Sequence, residues 1–248
     1  MAGKGEGKKT DPVSGKIPPR GQGALQEGKR LFGLKRWDLA LQKLLLVDAS
    51  AFSSEENTEL AYYIGLSYTK IGRYEDGLLY LEQVITTSTD PLRICQCRMT
   101  LAYIYVITKR AKLAEFELGQ LIKNGIESVQ IYTTLAYAAW IQKNNPRAVE
   151  LYEKALDLDQ NNTTALNGLG YILADTNTDL TRGLRLCKRA VDLKPQNAAY
   201  LDSLAWAFFQ YGDVAEARSW MRRAAELSPQ NDEIRSHQKI VFKEGSGK

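Results

Sequence analysis

The feature that most restricts the fold is a run of small residues at nearly constant spacing. Glycine or alanine recurs at intervals of 34 to 37 residues, and a second small residue follows each one after twelve or thirteen positions. Self-similarity at this period indicates a repeat protein in which each unit buries its apolar face against its neighbours. The first small residues are Gly28, Gly65, Ala102, Ala136, Gly170 and Ala205, and the second are Ala40, Gly77, Ala114, Ala148, Gly183 and Ala217.

Each repeat is predicted to contain two helices. Apolar residues recur at steps of three and four, which is the period of one helix face. The breaks between these segments carry the residues that start and stop helices. The start signals are a capping box of Ser53 and Glu56 and the pairs Asp90-Pro91 and Asn145-Pro146, and the stop signals are Pro195 and Pro229.

This pattern resembles the tetratricopeptide repeat, which has 34 residues, small residues at its eighth and twentieth positions and a proline near the thirty-second. The resemblance is of the bacterial type, since residues 201–206 are similar to the last repeat of many bacterial repeat proteins. It implies an all-α, right-handed superhelical solenoid of about six antiparallel helix pairs. The six repeats cover residues 23–230, with the fourth to sixth matching best, and a capping helix follows at residues 231–243.

The two ends of the chain differ in composition from its body. Residues 1–22 form a basic segment rich in Gly, Lys and Pro with few large apolar side chains, so we expect them to be a disordered tail, as are residues 244–248. Residues 1–23 carry a net charge of +3 and residues 239–248 a net charge of +2, which leaves −1 for the rest. A nearly neutral body is not typical of a nucleic-acid-binding domain, so no specific nucleic-acid partner is expected.

The sequence offers no set of residues typical of an enzyme, a cofactor site or a metal site. The chain has one histidine and three cysteines. His237 is predicted to face solvent on the capping helix, and the acidic residues are predicted to lie scattered over helix surfaces. Cys187 occupies a core position of the repeat. The odd number of cysteines suits a reducing compartment, and neither a signal peptide nor a membrane-spanning run is apparent, so we expect a cytoplasmic protein without membrane insertion.

The resemblance also implies where a partner binds. In the family, the first helices of the pairs line the inner surface of the superhelix, and ligands contact residues at the second, fifth, ninth, twelfth and thirteenth positions. Aromatic residues are concentrated at the fifth, ninth and twelfth of these positions, whereas the Lys and Asn residues of the family's carboxylate clamp are absent. The predicted groove residues are Tyr62, Met99, Tyr103, Tyr137, Trp140, Tyr171, Trp206 and Phe209.

The predicted function is a non-catalytic protein–protein scaffold or adaptor that binds an apolar or amphipathic peptide segment in this groove. In that interpretation the ninth-position rings form a ladder along one wall; in the alternative, the same rings pack internally on their neighbours. Two other functions stay open. In one, the chain acts as a ribosome- or RNA-associated factor through its basic termini. In the other, it forms a homo-oligomer through Tyr211, Trp220 or the groove.

Overall fold

A computed structural model describes residues 21–243, and within this range the protein contains helices and loops but no strand. The predicted tails fall outside the described residues, except that residue 22 already begins the first helix. The predicted all-α repeat fold is confirmed. The helices are α1 (Gln22–Gly33), α2 (Trp37–Leu45), α3 (Ser54–Lys70), α4 (Tyr74–Thr87), α5 (Pro91–Ile107), α6 (Ala111–Lys123), α7 (Val129–Ile141), α8 (Asn145–Leu158), α9 (Thr163–Asp175), α10 (Leu180–Leu193), α11 (Ala198–Tyr211), α12 (Val214–Leu227) and α13 (Asp232–Lys243), with a 3-10 turn at Ala49–Ala51.

The chain divides into two compact units, and the boundary between Ile94 and Cys95 lies within α5. In the N-terminal unit, α1 packs on α2 and α3 packs on α4. Its core lies between these pairs, where α2 also contacts α3. The buried members of this core are Leu25, Leu41, Leu44, Phe52, Leu60, Ile64 and Tyr68.

In the C-terminal unit, three helix pairs follow one another: α7 with α8, α9 with α10 and α11 with α12. Each pair contacts the next, and the first helices α7, α9 and α11 also touch in sequence. The last helix, α13, packs on α11 and α12 and thereby covers the apolar face that the final pair would otherwise leave exposed. Ile234 and Val241 of α13 are fully buried in this contact.

Five of the helix boundaries lie within two residues of the predicted start and stop signals. Ser53 and Glu56 form the expected capping box at the start of α3, and Asp90 accepts a hydrogen bond from the Leu92 amide where α5 begins. One start is shifted by a residue: the cap of α8 is Asn144, whose side chain accepts from the Arg147 amide, so Asn145 is already helical. The helices before Pro195 and Pro229 end at Leu193 and Leu227.

All twelve small residues of the repeat frame are buried, as predicted. A methyl group added to Gly28 would lie 2.5 Å from a methyl carbon of Leu44, and one added to Gly170 would lie 2.7 Å from Cys187 Sγ. Such distances are shorter than van der Waals contact, so the paired helices approach too closely for a larger side chain. The small residues therefore fix which faces of the two helices meet in each repeat.

Candidate functional site

A continuous series of rings runs along the first helices of the C-terminal unit. Tyr137 and Trp140 of α7 have ring centroids 5.4 Å apart, and Trp140 meets Tyr171 of α9 edge-on at 5.8 Å. At the other end, Trp206 and Phe209 of α11 lie 5.5 Å apart. We call the series Tyr137, Trp140, Tyr171, His237, Trp206 and Phe209 the aromatic ladder.

The link between the two halves of the ladder is His237, and the prediction that this histidine faces solvent is wrong. Its imidazole stacks on Trp206 at a centroid distance of 4.5 Å and lies 6.1 Å from the ring of Tyr171. Only 9% of His237 is exposed. The signal that was missed is its spacing with Ile234 and Val241, because residues three and four apart share one helix face. His237 therefore belongs to the face of α13 that packs on the repeats.

His237 has a buried acidic partner, so the prediction that acidic residues lie only at helix surfaces is also wrong. Asp202 of α11 is 4% exposed, and its Oδ2 atom lies 2.9 Å from His237 Nδ1. Burial alone would lower the pKa of His237, but the hydrogen bond to Asp202 and the charges of Asp202, Glu233 and Asp175 outweigh burial and raise that pKa above its ordinary value. The protonated imidazole is thus stabilised beside the carboxylate.

The ladder is open at one end and closed at the other. Trp206 is 8% exposed, and its Nε1 donates a hydrogen bond to Asp175 Oδ1 at 3.0 Å. At the open end Tyr137 is 43% exposed, and Tyr103, the ninth-position residue of the preceding repeat on α5, is 50% exposed. From Tyr103 to Trp206, the ninth-position residues therefore pass from exposed to buried. Trp206 therefore packs internally, whereas Tyr137 is accessible, and partner binding at Tyr137 stays a prediction.

A cavity of about 290 Å³ lies beside the open end of the ladder. Tyr137, Trp140 and Tyr171 form its aromatic wall, and α9 and α11 contribute Asn167 and Asp202. The exposed residue Glu233, from the first turn of α13, also lines the cavity. Burial, with the nearby charges of Asp175, Glu233 and Asp202, raises the pKa of Tyr171, so this hydroxyl stays protonated.

Gly168 has a role in this cavity that the repeat pattern does not reveal. A methyl group added to it would lie 2.3 Å from Cζ of Tyr152, the ring that α8 contributes to the cavity lining. Tyr152 occupies a core position where other repeats have smaller side chains such as Leu118 and Cys187. Glycine at 168 is therefore what leaves room for the Tyr152 ring between α8 and α9.

The other predicted groove residues, Tyr62, Met99 and Tyr103, are not part of the ladder. Tyr62 is half-buried in the N-terminal unit, where its ring contacts Tyr63 edge-on at 5.2 Å and the Arg93 guanidinium lies over it. Met99 is half-buried on α5. The structure thus brings together five of the eight predicted groove residues in the ladder; whether any of the eight binds a partner stays a prediction.

The residues considered for self-association differ in their surroundings. Tyr211 is 55% exposed at the end of α11. The Trp220 indole donates a hydrogen bond to Glu216 and carries the Arg223 guanidinium over its ring. Self-association through either residue stays a prediction.

Metal-binding clusters and membrane-spanning helices are both absent from the described part of the chain. Across residues 21–243, no three His, Cys, Asp or Glu side chains are grouped as they would be around a metal ion. None of the helices in the same range has the length and apolar content needed to cross a membrane.

The fold and the ladder define an all-α protein built from paired helices in tandem. The family profile of the tetratricopeptide repeat matches residues 133–198 and 176–232, which are the fourth to sixth repeats of the predicted frame. Together with the relatives and structural neighbours, this match supports a tetratricopeptide-repeat protein. The recognition made from the sequence is confirmed, and such repeats serve in general as protein–protein interaction scaffolds.

Two curated relatives match part of the chain. A TPR repeat-containing protein of Pseudomonas aeruginosa is 30% identical over 122 residues, which is 48% of this chain and 20% of the relative. The human Protein O-mannosyl-transferase TMTC1 is 22% identical over 183 residues, which is 72% of this chain and 20% of that protein. The chain therefore spans about a fifth of the length of either relative.

Solved structures share the fold at low sequence identity. Pseudomonas aeruginosa pilF superimposes with a TM-score of 0.66 at 15% identity, covering 88% of this chain and 96% of pilF. YrrB, a tetratricopeptide-repeat protein with an unusual peptide-binding site, gives a TM-score of 0.54 at 15% identity, covering 75% of this chain and 93% of YrrB. At these identities the likeness concerns the fold alone.

Proposed function

We propose that this protein is a non-catalytic scaffold that binds an apolar or amphipathic peptide segment at the open end of the aromatic ladder. The observation that carries this proposal is the contrast in exposure along the ladder, from 43% at Tyr137 to 8% at Trp206. Exposed aromatic rings beside a preformed cavity are typical of a recognition surface. Tyr and Trp suit such a surface because they bury a large area with few rotatable bonds.

The chemistry of the lining supports a peptide more than a polyanion. No Lys or Arg side chain is among the described residues that line the cavity. Phosphate binding depends on such cations, so RNA is a poor match for this surface. YrrB shows that the fold accommodates a peptide-binding site. The three cysteines are free thiols, which suits the reducing environment of the cytoplasm, where we place this scaffold.

The experiment is a selection of displayed peptides against the full-length chain, followed by affinity measurements on synthetic copies at two salt concentrations. We expect the selected peptides to share aromatic or aliphatic anchors, with affinities that change little between 50 and about 300 mM salt, because burial of apolar surface is only weakly screened. A library that yields no binder, or binders whose affinity falls about a thousandfold or more over this range, would contradict the proposal.

A matched pair of variants locates the binding surface. Tyr137→Ala removes an exposed ring of the ladder, whereas Tyr211→Ala removes a ring of similar exposure that does not line the cavity. We expect the first change to weaken the selected peptides by about tenfold or more and the second to leave their affinity unchanged. Equal effects of the two variants would show that the peptides bind elsewhere.

A further inference from the structure

We propose that the cavity beside the ladder is a site for the arginine side chain of the bound peptide. The lining combines a wall of aromatic faces with carboxylate and amide oxygens, which is the combination that recognises an organic cation. This inference rests on the proposed function and deepens it, because it names one side chain that the peptide presents.

Two buried acceptor atoms belong to residues that line the cavity. Asp202 Oδ1 and Asn167 Oδ1 are both buried, and neither accepts a hydrogen bond from any described residue. Both residues line the cavity from neighbouring first helices. A buried acceptor without a donor destabilises the protein, so a ligand that supplies N–H groups to it binds favourably. Two acceptors on separate helices match a guanidinium, which presents five N–H donors in one plane.

The arrangement of Asp202 is specific in this respect. Its Oδ2 atom is hydrogen-bonded to His237 Nδ1, whereas its Oδ1 atom has no hydrogen-bond partner among the described residues. The side chain is 4% exposed and belongs to a helix packed on all sides, so it is held in place before the ligand arrives. The His237 contact therefore fixes the position of the carboxylate.

The walls of the cavity suit a planar organic cation. Tyr137, Trp140 and Tyr171 line the cavity with ring surfaces, and a guanidinium stacks well on such faces. The volume of about 290 Å³ admits one long side chain rather than a folded segment. The aliphatic part of arginine packs against the rings while its charged end reaches the oxygens.

Three carboxylates lie in or near the cavity. Glu233 and Asp202 line the cavity, and Asp175 is close enough to act on the same groups. These three carboxylates all raise the pKa of Tyr171 and of His237, although burial is the largest influence on Tyr171 and opposes the rise at His237. These carboxylates make the potential in this part of the molecule negative, and the protonated form of His237 offsets part of it.

The probe that tests the inference is the amide of Nα-acetyl-arginine, with the citrulline compound as a neutral match of the same shape. The ligands are titrated into the full-length chain while the indole N–H signals of its four tryptophans are followed by NMR. We expect the arginine compound to shift the Trp140 signal with an affinity of about millimolar strength and the citrulline compound to leave it unchanged.

A pair of variants controls for unspecific attraction. Glu233→Gln removes a charge at the cavity, and Glu226→Gln removes one at an exposed position of α12 outside its lining. We expect about a threefold or greater loss of affinity for the first and none for the second. The affinity of the wild-type chain should also rise as pH increases through the pKa of His237, since the neutral imidazole no longer offsets the charge of Asp202.

Equal shifts with arginine and citrulline, no shift at Trp140, or an unchanged affinity in Glu233→Gln would each overturn the arginine site. The result remains separable from the proposed function. Selected peptides that bind through Tyr137 but contain no arginine would overturn the arginine site and leave the scaffold function intact. Binding of the arginine compound with no peptide binder would overturn the scaffold function instead.

Discussion

His237 of α13 stacks on Trp206 of α11 at 4.5 Å between ring centroids, with the two planes 20° apart. The same imidazole bonds Asp202, one helical turn before Trp206 on α11. A single side chain of the last helix thus fixes both a ring and a carboxylate of the final pair. It links the two halves of the aromatic ladder and helps to bury Trp206, whereas Tyr137 at the other end is accessible.

The first prediction concerns the pKa of His237. Because the chain has one histidine, its imidazole signal in proton NMR reports this residue without ambiguity. We expect a pKa above the ordinary value of about 6.5, since Asp202, Glu233 and Asp175 together outweigh burial. Asp202→Asn should lower it, because the largest of these favourable contacts is lost.

The shift has a consequence for stability with a definite sign. A histidine whose pKa is raised by folding stabilises the folded state fully at a pH below its unfolded pKa of about 6.5. This contribution is lost as the pH rises through the folded-state pKa. Urea denaturation at pH 5.5 and pH 8.5 should show this decline in the wild type and a smaller decline in Asp202→Asn. An equal decline in both proteins would show that Asp202 and His237 are not coupled.

The second prediction tests the repeat register. Ala148 and Ala217 are fully buried where paired helices meet, so Ala→Leu at either position should lower the free energy of unfolding by about 1–3 kcal/mol through overpacking. Ala215, on the same helix as Ala217, is exposed. Ala215→Leu should change the free energy of unfolding by less than about 0.5 kcal/mol. If all three changes were silent in denaturant melts, the assigned helix faces would be incorrect.

The third prediction separates two glycines. Gly168→Ala should lower the free energy of unfolding by about 1–3 kcal/mol, since the added methyl group clashes with the Tyr152 ring. Gly119 lies in α6 with no atom within 4 Å of an added methyl group. Gly119→Ala should therefore stabilise the helix by about 0.5–1 kcal/mol. Calorimetric melting of the two variants compares them directly, and a neutral Gly168→Ala would contradict the packing described for Tyr152.

The repeat pattern is readable from the sequence because it depends on local rules. Small residues recur wherever two helices approach closely, so the spacing alone assigns positions such as Ala148 and Gly170 to the core. Capping residues such as Ser53 act on their own helix and are equally visible. The match of the family profile to the fourth to sixth repeats follows the regularity of their spacing.

The features that the sequence does not reveal depend on contacts between distant residues. Asp202 and His237 are 35 positions apart. Asp202 belongs to a repeat helix and His237 to the last helix, α13, so no periodic pattern pairs them. The repeat positions alone predict that Tyr171 contacts Trp206 directly. They do not predict that a ring from α13 lies between the two. Gly168 escapes notice for a similar reason, since its size is set by Tyr152 from another helix. Such features emerge only when the helices are placed together.

The central claim is that the open end of the ladder binds a partner while the closed end holds the fold. The measurement that tests it most directly compares the double variant Tyr103→Ala/Tyr137→Ala with the single variant Trp206→Ala. Peptide affinity and melting temperature are measured for both. We expect the first to lose binding by about tenfold or more and to keep its melting temperature, because both rings are exposed. Trp206→Ala should instead lower the free energy of unfolding by about 3–5 kcal/mol, because its ring is buried. A stable double variant that binds the selected peptides as tightly as the wild type would contradict the claim.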